Sequence, residues 1–67
     1  MLHSNVIMNK TAVELANKFT KHLLNNEVDK AQTIWNEFIP TYGGMNDLFE
    51  LTNNDIPSKL FINFARG

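Results

Sequence analysis

Two stretches of apolar side chains at helical spacing, separated by almost nothing, constrain this chain more than any other feature. In the first, Ala12, Leu15, Ala16, Phe19 and Leu23 recur at the three- and four-residue intervals of a helix that buries one face. In the second, Val28, Ala31, Ile34, Trp35, Phe38 and Ile39 do the same until Pro40 stops the pattern. Between them stands the pair Asn25-Asn26, a residue type that tolerates the left-handed backbone closing many helices. A connection this short folds two helices back on each other as an antiparallel hairpin.

Local signals place the boundaries. The first helix should begin at Asn9 or Thr11, since Thr11-Ala12-Val13-Glu14 has the form in which a capping hydroxyl and a third-position carboxylate satisfy each other's backbone donors. For the second, Asn26 is the expected cap, with Glu27 and Asp29 in the first turn, where the helix dipole favours negative charge. Pro40-Thr41-Tyr42-Gly43-Gly44 then reads as a turn or loop. Asn46 or Asp47 can cap a short third helix through Leu48, Phe49 and Leu51, with Asp47 and Glu50 repeating the capping spacing. Thr52-Asn53-Asn54-Asp55 breaks it. Asp55 should cap a last segment with Pro57 in its first turn and Ile56, Leu60, Phe61 and Phe64 on its apolar side. Residues 59–64 also alternate as a strand would, so residues 58–65 are open to either reading. The first eight residues carry no period and read as a flexible tail or an arm. The expectation is an all-α protein: residues 1–8 as tail or arm, then a single helical domain over 9–67, a small bundle of three to four short helices built on the N-terminal hairpin.

Size and composition bound the possibilities. A chain of 67 residues buries about 60% of the surface its unfolded form exposes, so its stability margin is thin. It has no cysteine, which removes disulfides and thiolate metal sites and leaves packing or self-association as the supports. Hydrophobic residues make up 43% of it, with five Phe, one Trp and one Tyr, enough to form a core. A formal net charge of −1 and a pI near 6.0 give no overall attraction for phosphate backbones or anionic lipid, which argues against nucleic acid as the partner. The opening residues lack the basic start and long apolar run of a secretory signal, and no stretch approaches the roughly 18 apolar residues of a membrane span. The expected location is therefore the cytoplasm, with no membrane partner. Frequent Asn, with Lys, Ile and Phe, points to AT-rich coding and so to a bacterial or phage source.

Catalytic chemistry finds little to use. His3 and His22 stand alone, without a carboxylate or second His three or four residues away. His22 follows Leu15 and Phe19 around the first helix and reads as a histidine at the edge of the core. No Gly-rich phosphate loop or nucleophile elbow is present, and Gly43-Gly44 reads as a turn. Asp47, Glu50 and Asp55 crowd one region, yet each is explained as a cap or a solvated charge. We expect neither a catalytic residue nor a cofactor nor a metal.

The charge distribution is uneven. Lys10, Lys18 and Lys21 make the first helix mildly basic, whereas Glu27, Asp29, Glu37, Asp47, Glu50 and Asp55 against Lys30 make the middle acidic. Such a flank suits either ordinary solvation or a basic partner surface.

Apolar width is the more informative asymmetry. At about 100° per residue the first helix has an apolar arc of roughly 120°, as a surface helix needs. Val13, Thr20 and Leu24 widen it to roughly 200°. In the last segment Phe61, Ile62 and Ala65 spill past the stripe of Ile56, Leu60 and Phe64. Either the first helix is central and covered on both flanks, or part of this surface meets a partner. On the second reading Val13, Leu24, Tyr42, Met45 and Phe61 are the protein-binding residues, because large aromatic and Met side chains anchor such surfaces.

Residues Phe19 to Phe38, centred on Leu23-Leu24-Asn25-Asn26-Glu27-Val28-Asp29-Lys30-Ala31, resemble one helical hairpin of the tetratricopeptide kind. That covers under a third of the chain. Such repeats need about three copies and none recurs here, so the resemblance implies a hairpin and no function. The run Asp55-Ile56-Pro57-Ser58-Lys59-Leu60-Phe61 is similar to the C-terminal end of the Hha family of small helical nucleoid-protein partners. The residues before it depart from that family, and no site is carried over.

The resulting expectation is a non-enzymatic protein-binding module, a regulator, inhibitor or adaptor that covers a surface on a host protein, with room for a homodimer. The alternative is a nucleic-acid-associated transcriptional or nucleoid regulator, which would need Lys10, Lys18, Lys21, Lys30, Lys59 and Arg66 to converge on one patch. A third reading is a structural component of a larger particle.

Overall fold

A computed structural model describes residues 9–67, and there the chain forms helices α1 (Lys10–Leu24), α2 (Val28–Phe38), α3 (Met45–Leu51) and α4 (Ser58–Ala65), with no strand among the described residues. The expected all-α bundle on an antiparallel hairpin is what is observed, and residues 58–65 are helix. The expectation of a tail or arm over residues 1–8 lies outside the described residues.

The hairpin turn is built by backbone chemistry. After α1, Asn26 takes φ 60, and its N–H reaches the Leu23 carbonyl at 3.1 Å while that of Glu27 reaches the His22 carbonyl at 2.8 Å. These paired bonds close a helix through one left-handed residue and satisfy its last carbonyls. Asn26 therefore ends α1 rather than capping α2. The residue preceding α2 is Glu27, which makes no side-chain cap bond.

The other starts also differ from expectation in which residue does the capping. Asn9, not Thr11, opens α1, its Oδ1 accepting from the Ala12 N–H at 3.1 Å. Gly44 precedes α3, and Asp47, three residues on, accepts the Gly44 N–H at 2.9 Å, so Asp47 supplies the reach-back half of a capping pair instead of the cap itself. Pro57, rather than Asp55, precedes α4. The Asp55 N–H instead bonds the Thr52 carbonyl at 3.0 Å, and Asn53 and Asn54 turn the chain at φ 56 and 64.

The core lies between the hairpin and the two short helices. Ala12, Leu15, Ala16, Phe19 and Leu23 of α1 meet Ala31, Ile34 and Phe38 of α2, with Leu48 and Leu51 of α3, Ile56 and Phe61 closing the remaining sides. Phe19 is fully buried, and its ring packs edge-on against Phe61 at 6.0 Å and Phe64 at 5.2 Å. Trp35 bridges the same two rings of α4, at 5.8 and 5.4 Å. Thus α1 is central, with α2, α3 and α4 all packed on it. The wide apolar arc of α1 is mostly absorbed inside the molecule.

The polar account inside is closed. Thr52, the buried polar residue, donates its hydroxyl to the Phe49 carbonyl at 2.6 Å. Among the described residues no buried side-chain nitrogen or oxygen lacks a partner. No helix among them is long and apolar enough to cross a membrane.

Candidate protein-binding surface

Once the core has formed, four large apolar side chains among the described residues remain about half exposed: Leu24 at 50%, Val28 at 52%, Met45 at 48% and Ile62 at 51%. They fall into two groups. Leu24 and Val28 flank the hairpin turn, and Val28 joins Leu23, Leu60 and Phe64 along a groove of about 300 Å3 where α4 passes the hairpin. Met45 and Ile62 stand across a second groove of about 240 Å3 between α3 and α4, also lined by Phe49, Phe61, Asn46 and Ser58.

Helix geometry explains the second groove. Met45 and Phe49 are four residues apart on α3, and so are Ser58 and Ile62 on α4, so each pair forms a ridge on one side of its helix. The Phe49 and Phe61 rings meet between the ridges at 4.8 Å. Phe61 is 5% exposed. It therefore forms the floor of the groove and part of the core. As a side chain presented to a partner, which the sequence suggested, it is corrected by this burial: its ring is held against Phe19, Trp35 and Phe49.

The five residues singled out from sequence do not form one patch. Met45 and Phe61 share the α3–α4 groove. Leu24 sits at the end of α1 beside the turn. Val13 and Tyr42 are half-buried and packed against the core, Tyr42 with its ring 6.0 Å from that of Phe38. Sequence reasoning missed Val28, which it assigned to the apolar face of α2. Val28 is the first residue of that helix and is 52% exposed. It also left Ile62 out of the site although noting that it spills past the stripe of α4.

One polar feature escaped the search for pairs within a helix. His22 Nδ1 lies 2.9 Å from Glu27 Oε1, and Lys30 Nζ lies 3.4 Å from Glu27 Oε2. The separation of five residues works because Asn26 reverses the chain and brings the first residue past the turn back beside the last full turn of α1. An ionised carboxylate has no hydrogen to give, so Nδ1 donates. This bond holds the Glu27 carboxyl below its ordinary value against the opposing effect of desolvation, and Lys30 lowers it further. The pair occupies the positions where a hydrophobic contact often clasps this kind of turn, so its role is structural.

Among the described residues there is no group of three or more His, Asp or Glu placed to hold a metal ion. No family model, no curated protein and no solved structure matches this chain.

Proposed function

We propose that this protein is a small, non-enzymatic, helical protein-binding module that works in the cytoplasm, as a regulator, inhibitor or adaptor, by laying its apolar surface on a host protein. One observation carries the reading: Leu24, Val28, Met45 and Ile62 stay half exposed after every helix has found its place, although a chain this short has few apolar residues to spare for the surface. The Leu24–Val28 end is the better candidate for a foreign partner. It combines two exposed aliphatic side chains with the groove under Leu60 and Phe64, and it sits on a turn clasped by His22 and Glu27. A rigid surface of this kind loses little entropy on binding.

The test is capture from a lysate of the native source with immobilised protein, comparing the natural chain with Leu24→Glu and Val28→Glu. The reading expects a specific host protein retained by the natural chain and released by either variant, while helical content by circular dichroism is unchanged. Equal retention by all three chains, or nothing specific on any, would overturn it. A gel shift with duplex DNA that weakens steeply with salt would favour the nucleic-acid alternative instead.

A further inference from the structure

We infer that the α3–α4 groove is the seat of a second copy of this chain, related by a twofold axis running along the groove. The groove has an apolar floor and two rims of opposite charge. On α3, Glu50 follows Asn46 by one helical turn and is exposed on the outer shoulder of the wall formed by Met45 and Phe49. Lys59 of α4 stands three residues before Ile62 and Arg66, the cap at the end of α4, four after; both are exposed, and helical spacing places them on the outer shoulder of the opposite wall. One rim is acidic and the other basic.

That arrangement is complementary to itself. A twofold axis lying in the interface along the groove exchanges left and right, so it lays the α3 wall of one copy over the α4 wall of the other. The rim that carries Glu50 in each protomer then lies over the rim that carries Lys59 and Arg66 in its mate, twice over, while the walls that carry Met45 and Ile62 close over the shared groove. This is the condition for an isologous contact, in which the same patch serves both partners. A net charge of −1 gives little repulsion between copies, and opposed rims fix the register more than they add affinity. The walls are only two short helices, of seven and eight residues, so the interface belongs at the small, weakly associating end of the range.

This proposal rests on residues other than Leu24 and Val28. Sedimentation equilibrium over a range from about 10 μM to 1 mM, spanning the affinities expected of a small interface, should show the weight-average mass climbing from one chain towards two. Ile62→Lys should hold it at one chain with helical content intact, since that side chain is half exposed. Glu50→Lys alone, and Lys59→Glu with Arg66→Glu alone, should each be monomeric because like charges then face each other. An equimolar mixture of those two variants should associate, because each copy then offers the charge the other needs. A natural chain that stays monomeric throughout, a dimer that survives Ile62→Lys, or a mixture that fails to associate would each overturn the proposal. Loss of lysate capture on Leu24→Glu with self-association intact separates the two surfaces.

Discussion

Glu27 stands at a turn where the backbone does most of the work, and its side chain adds a pH dependence. Its carboxyl is held below the ordinary value by the His22 bond, so the stability it contributes is present above the ordinary carboxylate range and fades as the pH falls through the lowered value. The gap in urea midpoint between the natural chain and Glu27→Gln should therefore be constant near neutrality and close in acid. A gap independent of pH would contradict the assignment. At Asn26, with φ 60, a β-carbon without a local hydrogen-bonding group is penalised. Asn26→Ala should cost about 1 kcal/mol, because the left-handed conformation disfavours such residues by that order, and Asn26→Gly should not. Urea titration of the two variants decides it.

Among the elements, α3 has the most exacting start. A β-carbon on Gly43 would lie 2.6 Å from Asp47 Oδ2, the oxygen that accepts the Gly44 N–H. Gly43→Ala must therefore push the carboxylate off its donor. It should cost about what Asp47→Ala costs, roughly 1 kcal/mol for a lost cap, and the two changes together should cost little more than either. Full additivity in a double-mutant cycle would show that the contact does not couple them.

The same elements show what the sequence made legible. The hairpin was readable because its apolar spacing is regular and Asn25-Asn26 leaves room for one topology. The caps were not, because Asn, Asp, Thr and Gly all suit neighbouring positions, and only the path of the chain decides which oxygen meets which N–H. Of the candidate surface, only the exposure of some members was readable. Met45 and Leu24 are exposed as a binding residue must be, but the fate of Phe61 depended on α4 turning it toward Phe19, which no local pattern encodes. Nor could any spacing rule within a helix reveal His22 beside Glu27 across a left-handed residue.

As a whole molecule the chain has little stability in reserve. A domain of this length holds of the order of 3–10 kcal/mol, and the core converges on Phe19, fully buried under α2 and α4. Phe19→Ala should cost about 3–5 kcal/mol, enough to unfold much of the population at 25 °C, and circular dichroism would register the loss. A variant as helical as the natural chain would place the stabilising core elsewhere.

Trp35 is the one tryptophan, and it is partly buried between the hairpin and the last helix, against Phe19 on one side and Phe61 and Phe64 on the other. Because those rings, rather than close backbone packing, tie the C-terminal helix down, its departure would wet the indole while leaving the hairpin wound. The emission colour of this single fluorophore thus reports the seating of the C-terminus, whereas the far-ultraviolet signal is dominated by the two longer helices. Following both through a denaturation curve would reveal whether the molecule comes apart in one step or sheds its tail end first.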